Sequence, residues 1–306
     1  MEFEILINDL FLNIQSDPTL APTGNKNILS LLNDFEDQDW RYNKFQQFIW
    51  NNIAETALSF KERESLIGLS STQLAEAAKK LRLTDKVDDI SNGSELAEII
   101  LYGIMKHYYK ALPVVPKIFY KQNPQDNAKG ADSVHIVLDD NNDFTIWFGE
   151  AKFYNSIEDS RLYEIIKSVK NSLQVDKLKK ENSLVTDLSD IDGLIIDTEL
   201  RDRIKKILST RESIDNMKPK LHVPILLLHQ CEITKKCKNL TPEYKAEILN
   251  YHKERANSYF KKQINIIGSQ ISQYSDIKFH IILLPVPDKK IIVDKFLANV
   301  EFHKEQ

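Results

Sequence analysis

Two neighbouring strand-like runs carry charged side chains at positions where a strand normally carries apolar ones. The first run, DSVHIVLD (132–139), begins with Asp132, and the second, FTIWFGEAK (144–152), ends with Glu150 and Lys152. Only a short Asp- and Asn-rich turn separates the two runs, so a hairpin is expected. This pair of strands constrains the fold, because the hairpin must bring its charged ends together.

Alternation along the second run predicts where its charges point. Side chains on a strand alternate between the two faces of the sheet. Ile146 and Phe148 share one face, which their size marks as buried, and Glu150 and Lys152 continue that face. Because a lone polar group in an apolar interior costs about 2–7 kcal/mol, these charges need compensation. A mutual salt bridge is one solution, and a metal ion is another.

Carboxylates and a lysine at such a strand end suggest a specific chemistry. Asp132 supplies a second carboxylate if the hairpin brings it beside Glu150. Mg²⁺ binds through one or two carboxylates and keeps several waters, one of which can attack a phosphorus atom. A lysine beside the metal can position that water or stabilise the transition state. We therefore expect Asp132, Glu150 and Lys152 to hydrolyse a phosphodiester with Mg²⁺ or Mn²⁺.

The pattern of the whole chain predicts an α/β fold with a second region in front of it. Residues 1–90 are expected to be mainly helical, with one strand near 3–13, and residues 91–306 to form the second domain. In the second domain, apolar periodicity predicts a helix, three strands, a long helix and a further apolar strand, followed by another helix and strand. The predicted ranges are 94–111, 113–121, 132–139, 144–152, 156–181, 221–230, 242–268 and 277–286.

Charge divides the chain in a similar way. Residues 1–100 hold 17 acidic and 9 basic side chains, whereas the remainder holds 28 acidic and 32 basic ones. An acidic surface repels nucleic-acid phosphates, so the N-terminal region is expected to contact a protein partner. No GxxxxGK[ST] loop occurs, so an ATP-dependent step would need another protein.

Targeting signals are absent from the sequence pattern. No apolar run approaches the roughly 18 residues of a membrane span, and the acidic N-terminus lacks the cationic segment of a signal peptide. Cys231 and Cys237 lack the ligand pairs of a zinc site and are expected to be free thiols. A soluble, cytoplasmic protein without membrane association is expected.

The charged strand ends resemble a known nuclease motif. Asp132 followed by Glu150-Ala151-Lys152 resembles the PD-(D/E)XK motif, although Lys-Gly-Ala stands before Asp132 where that motif has a proline. The predicted element order is similar to the αβββαβ core of these restriction-endonuclease-like proteins, a mixed sheet flanked by helices. The resemblance implies that a glutamate of the first core helix joins the catalytic and metal-binding set. Glu95 and Glu98 are the candidates, and Glu98 is favoured because Ile99-Ile100-Leu101 follows it directly.

The same resemblance implies a polar residue that faces the site from the helix after the motif. Lys170 and Gln174 lie one turn apart on that helix, and the sequence leaves the choice between them open.

A narrower resemblance rests on GSELAEIILYGIM, KGADSVHIV and FGEAKFYNSI. These segments resemble the HamA family, the nuclease subunits of the Hachiman antiphage defence system. The resemblance implies a metal-dependent DNA nuclease that acts as an antiviral effector and is controlled by a partner helicase, HamB. Two alternatives remain: a non-catalytic adaptor with a nuclease-like fold that binds a helicase or DNA, and an RNA-directed nuclease of the same fold.

Overall fold

The computed structural model describes residues 2–11, 18–82, 94–120, 130–141, 143–187 and 190–306. The strands in these residues are β1 (Glu4–Leu10), β2 (Lys26–Leu32), β3 (Phe35–Glu36), β4 (Asp39–Trp40), β5 (Leu112–Val115), β6 (Ser133–Leu138), β7 (Phe144–Tyr154), β8 (Leu221–Gln230) and β9 (Lys278–Val286). The helices are α1 (Tyr42–Ala57), α2 (Phe60–Ser65), α3 (Ser70–Lys79), α4 (Ser94–Tyr109), α5 (Lys117–Tyr120), α6 (Asp159–Ser172), α7 (Val175–Asp187), α8 (Asp190–Leu194), α9 (Thr198–Leu208), α10 (Ile214–Met217), α11 (Glu232–Lys236), α12 (Pro242–Gln263) and α13 (Lys289–Lys304).

One mixed sheet organises the described chain. Its seven strands lie in the order β1-β2-β9-β8-β7-β6-β5, with β2, β9, β8 and β7 parallel to one another and β1 and β6 antiparallel to their neighbours. The central strand β8 is apolar on both sides, because Ile225 and Leu227 face one layer and Leu226 faces the other. Such a continuous apolar run is typical of a strand that is covered on both faces. The α/β fold class predicted from the sequence is confirmed and is compatible with a nuclease-like core.

Helices cover the two faces of this sheet. On one face α6 and α12 pack through residues such as Ile166 and Phe260. On the other face α1 and α4 pack through residues such as Phe48 and Ile100. Each fully buried side chain of this size contributes about 1.5–3 kcal/mol relative to an exposed one, so both layers are needed to stabilise the sheet. The layer that holds α4 is important below, because this helix carries Glu98.

The N-terminal region contains more strands than predicted and belongs to the same sheet. Strand β2 pairs in parallel with β9, from Lys26 opposite Phe279 to Ser30 opposite Leu283. Strand β2 was not predicted because its sequence, KNILSLL, is a short apolar run. The periodicity of such a short run does not distinguish a strand from a helix. The predicted boundary near residue 90 lies outside the described residues. The described chain on either side of it shares one sheet and one apolar cluster.

Three predicted elements differ in detail from the prediction. The strand predicted over 113–121 stops at Val115, and the helical turn α5 begins at Lys117. Pro116 lies between them and has no N–H to donate to a sheet ladder, which accounts for the stop. The helix predicted over 156–181 is divided into α6 and α7, and the helix predicted over 242–268 ends as a π-helical turn at Ile264–Gly268.

Helix composition also bears on membrane insertion. The longest helix, α12, has 22 residues and alternates apolar with charged side chains, PEYKAEILNYHKERANSYFKKQ. A membrane-spanning helix needs about 20 predominantly apolar residues. None of the helices in the described part of the chain combines that length with that apolar character.

Candidate active site

The β6–β7 hairpin brings the charged strand ends together. Ser133 pairs with Gly149, and the backbone N–H of Asp132 donates to the Gly149 carbonyl at 2.7 Å. The paired register ends at Ser133 and Gly149, and Asp132 and Glu150 are the next residues on the two chain segments. Both acids therefore belong to the open end of this hairpin, and an ion shared by their carboxylates stays a prediction.

Asp132 also makes contacts beyond the ladder. Its Oδ2 accepts a hydrogen bond from the Ala151 N–H at 3.1 Å and lies 3.9 Å from Lys152 Nζ. The side chains of Asp132 and Lys152 are 15% and 31% exposed. At this distance and exposure, an ion pair is worth about 0–1 kcal/mol. The lysine is therefore close to the acid without being locked to it, and its ammonium can reach another oxygen.

Glu150 lies deeper than the other two members of the set. It is 3% exposed and pairs across the parallel ladder with Ile225 of β8. Burial is the main cause that raises the pKa of both Tyr154 and Tyr259 above the usual range, and the Glu150 carboxylate raises both further. The charged set thus consists of a buried acid beside two tyrosines, Asp132 at 15% exposure, and a half-exposed lysine two residues after Glu150 on β7.

Helix α4 places Glu98 close to Asp132. Glu98 is 6% exposed and lines a small pocket together with Tyr102, Asp132 and Ser133. Glu95, one turn earlier, instead accepts a hydrogen bond from the Arg82 N–H at 3.1 Å. Glu98 is therefore the glutamate of α4 that shares a pocket with the motif. Its part in catalysis stays a prediction.

A glycine allows the helix to approach the hairpin this closely. A Cβ at Gly149 would lie 2.3 Å from Ser133 Oγ and 2.8 Å from Leu101 Cδ2. Contacts that short do not occur, so a larger residue would require the Ser133 and Leu101 side chains to move. Leu101 lies three residues after Glu98 on α4. Gly149 therefore helps to set the distance between Glu98 and the strand acids.

The carboxylates near the hairpin end are the kind of ligand that a divalent metal ion would need. Mg²⁺ and Mn²⁺ prefer carboxylate oxygens, and Mg²⁺ commonly uses one or two of them and completes its shell with water and substrate phosphates. Asp132 and Glu150 are carboxylates of the kind that such an ion prefers. Among the described residues, no three Asp, Glu, His or Cys side chains converge to hold one ion. Asp132, Glu150 and Glu98 do not form such a group there, and each stays a predicted metal ligand.

The two candidates on the helix after the motif lie at the end of α6. Gln174 is exposed, and its Nε2 donates to the Lys170 carbonyl at 3.0 Å, so this side chain satisfies the helix end. Lys170 is half-buried in the last turn. Neither residue lines the pocket that holds Glu98 and Asp132, as far as the described residues define it.

The sequence analysis missed a buried ion pair beside the site. Lys117 lines the same pocket as Glu98 and Asp132, and its Nζ lies 2.6 Å from Glu181 Oε2. The signal in the sequence was a lysine close to the apolar residues Val115 and Ile118, at a position that had been assigned to a strand. A charge in an apolar run requires a partner when it is buried. The partner, Glu181, follows a lysine-rich run that looked solvated.

Comparison with known families identifies the chain as a whole. The family model of HamA matches residues 6–300 of the 306. No curated protein matches the sequence significantly. The matched range includes the hairpin, helix α4 and the β1–β2 part of the sheet. Because the match spans nearly the whole chain, the protein belongs to the HamA family, whose members are associated with the Hachiman antiphage defence system.

Proposed function

We propose that this protein is a metal-dependent DNA nuclease that acts as the effector of its defence system. The observation that carries the proposal is the open end of the β6–β7 hairpin, where Lys152 Nζ lies 3.9 Å from Asp132 Oδ2 and the buried Glu150 lies two residues before Lys152 on β7. Two acids on an apolar face are costly to a fold unless they serve a purpose that compensates them. Phosphodiester hydrolysis is such a purpose.

Each residue has a role that follows from its position. Asp132 and Glu150 would hold Mg²⁺ or Mn²⁺, which when bound lowers the pKa of water and offsets charge on the scissile phosphate. Lys152, the most exposed member, can donate a hydrogen bond from its ammonium to a phosphoryl oxygen or to the attacking water, which this bond would orient. Glu98 lines the pocket beside Asp132 and can orient a water there. Catalysis of this kind rests mainly on positioning and on electrostatic stabilisation.

We further propose that a helicase partner controls the cutting and docks on the acidic N-terminal region. The β3–β4 hairpin exposes Glu36, Asp37 and Asp39 at its turn. Negative charge at this position disfavours DNA and suits a basic protein surface. Crosslinking of residues 1–90 to the helicase in a purified complex is the expected result. Crosslinking of the same residues to DNA in an active complex would contradict it.

The test of nuclease activity uses the purified chain with and without the helicase encoded beside it. Linear and circular DNA are incubated with each preparation in Mg²⁺, in Mn²⁺ and in EDTA. Cleavage that requires the metal and disappears in Asp132→Asn and Glu150→Gln variants supports the proposal. The matched control is Asp139→Asn, because Asp139 also flanks β6 but lies at the other end of that strand.

The two alternatives give different outcomes. An adaptor would bind the helicase or DNA with the same affinity in wild type and in the Glu150→Gln variant, and neither protein would cut. An RNA-directed nuclease would cut RNA in Mg²⁺ and leave both DNA forms intact. Either result would replace the DNA nuclease assignment.

A further inference from the structure

A buried ion pair holds the chain segment that leads into Asp132. Lys117 Nζ donates to both carboxylate oxygens of Glu181, at 2.7 and 2.6 Å, and the two side chains are 3% and 2% exposed. Glu181 Oε1 also accepts the backbone N–H of Ala131 at 3.1 Å. Ala131 immediately precedes Asp132. The carboxylate from α7 is therefore bonded to the backbone next to the first acid of the site.

Two successive peptide units are fixed at this point. The Ala131 N–H is held by Glu181, and the Asp132 N–H is held by the Gly149 carbonyl at 2.7 Å. The first bond comes from helix α7 and the second from strand β7. Together they determine how Asp132 enters the sheet, and therefore where its carboxylate stands relative to Glu150.

Gly130 leaves room for the Glu181 carboxylate beside Ala131, because it has no side chain. A Cβ at this position would lie 1.8 Å from Glu181 Oε1 and 2.8 Å from its Cδ. Any side chain here would displace the carboxylate that holds Ala131. The sequence Gly130-Ala131-Asp132 thus combines a close approach, a held N–H and a site acid in three consecutive residues.

Stability alone does not explain a charged pair at this place. Two charges that are removed from water lose their solvation, and a well-packed apolar pair of similar volume is often equally stable or more stable. An apolar pair, however, cannot accept the Ala131 N–H. A carboxylate can do so, and the lysine then balances its charge. The feature that needs the pair is therefore the hydrogen bond beside Asp132.

We propose that Glu181, with Lys117 as its counter-charge, is a positioning residue that sets the Asp132 carboxylate for metal binding through the Ala131 N–H. This inference rests on the proposed nuclease function for its effect on cleavage. Its effect on the backbone at Ala131 and Asp132 does not depend on that function, so the two can fail separately.

The experiment compares two double variants that differ in one hydrogen-bond acceptor. Lys117→Met with Glu181→Gln removes both charges and keeps an amide oxygen for the Ala131 N–H. Lys117→Met with Glu181→Leu removes both charges and the acceptor. A control at a similarly buried lysine elsewhere is Lys218→Met with Asp215→Leu, because the Lys218 side chain is 5% exposed and pairs with Asp215.

Two readouts are expected to separate these variants. Hydrogen exchange of the Ala131 and Asp132 amides should be about tenfold faster with leucine than with glutamine, since one backbone hydrogen bond is lost. Affinity for Mn²⁺, measured by calorimetry, should fall at least about tenfold with leucine. The glutamine variant and the control pair should stay within about threefold of wild type in both measurements and in cleavage.

Equal exchange rates and equal Mn²⁺ affinities in the two double variants would overturn the inference and leave the pair a structural feature only. If wild type neither binds Mn²⁺ nor cuts, the nuclease proposal fails, and the difference in exchange still decides the positioning role. Gly130→Ala provides a second route if the leucine variant does not fold, because it displaces Glu181 with both partners present. Its control is Gly24→Ala, where an added Cβ has nothing within 4 Å.

Discussion

Two groups of polar side chains interrupt the apolar sheet, and they differ in their access to solvent. The acid–lysine set consists of Asp132, Glu150 and Lys152, and its lysine is 31% exposed. The histidine chain consists of Ser30, His229 and His252. Ser30 Oγ lies 2.7 Å from His252 Nδ1, and His252 Nε2 lies 3.1 Å from His229 Nε2. All three residues of the histidine chain are 0% exposed.

This difference shows which buried polar residues can take part in chemistry. In the histidine chain, each side chain finds its partner inside the protein, and burial lowers the pKa of His229 to about 4. The histidines of this group are neutral, its side chains are hydrogen-bonded to one another, and solvent does not reach them. The group therefore contributes to stability. The acid–lysine set begins in the core at Glu150 and ends at solvent, where a phosphate can reach it. Experiments on Lys152, on His252, on the pH dependence of stability and on Glu98, which lines the pocket beside Asp132, can break or sharpen this contrast.

The largest effect is expected for Lys152→Ala. Cleavage should fall by about 10²–10³, the usual cost of losing a group that stabilises the transition state or transfers a proton. Thermal stability should remain near that of wild type, because the lysine is half-exposed and its 3.9 Å ion pair is weak. The measurements are a cleavage time course and a melting curve on the same preparation.

Lys206→Ala is the control for Lys152→Ala, since Lys206 is an exposed lysine on α9. It should cut at the wild-type rate, and cells that carry it should keep phage defence, whereas Lys152→Ala should abolish defence. A folded Lys152→Ala protein that cuts normally would show that the motif is structural. An unfolded one would show that the lysine serves as the buried partner of the acids.

The histidine chain should respond in the opposite sense. His252→Leu leaves His229 Nε2 and Ser30 Oγ without their partner, and each orphaned buried group costs about 1–3 kcal/mol. The free energy of unfolding in urea should therefore fall by about 2–6 kcal/mol. Cleavage per folded molecule should not change. His303→Leu, at a half-buried histidine of α13, should cost much less. If the folded His252→Leu protein no longer cleaves DNA, the histidine chain also affects the acid–lysine set, and the contrast fails.

Acid should weaken the fold through His229 of the histidine chain and through His222, which lies outside that chain with its Nδ1 2.9 Å from His280 Nε2. An unfolded histidine has a pKa near 6.5, whereas burial lowers that of His229 to about 4 and that of His222 to about 3. The unfolded chain therefore binds more protons below pH 6.5, so stability is complete above that pH and decreases as the pH falls toward the folded pKa. The slope is about 1.4 kcal/mol per pH unit for each histidine that stays neutral. Urea unfolding at pH 7.5 and 5.5 tests this, and equal stabilities would contradict it.

The sequence predicted the acid–lysine set better than the histidine chain for a physical reason. Asp132, Glu150 and Lys152 belong to one hairpin, so period-two alternation alone places them together. The histidine chain joins β2, β8 and α12, which are distant in sequence, and only the strand order brings them into contact. Glu181 was missed for the same reason, since it meets Lys117 across 64 residues. Strand β2 was missed because its short apolar run has no distinctive period.

The smallest expected effect separates two glutamates of one helix. Glu98 lines the pocket with Asp132, and Glu95 is bonded to the Arg82 N–H at 3.1 Å. Glu98→Gln should lower cleavage and Mn²⁺ affinity by about tenfold, the lower end of the cost of losing a group that supports metal ligands. Glu95→Gln keeps the fold and changes only a contact outside the pocket, so it should stay within about twofold of wild type. Initial rates across a Mn²⁺ titration distinguish the two. Equal losses would mean that α4 acts through its overall charge, and no loss in either variant would mean that the strand acids and Lys152 suffice.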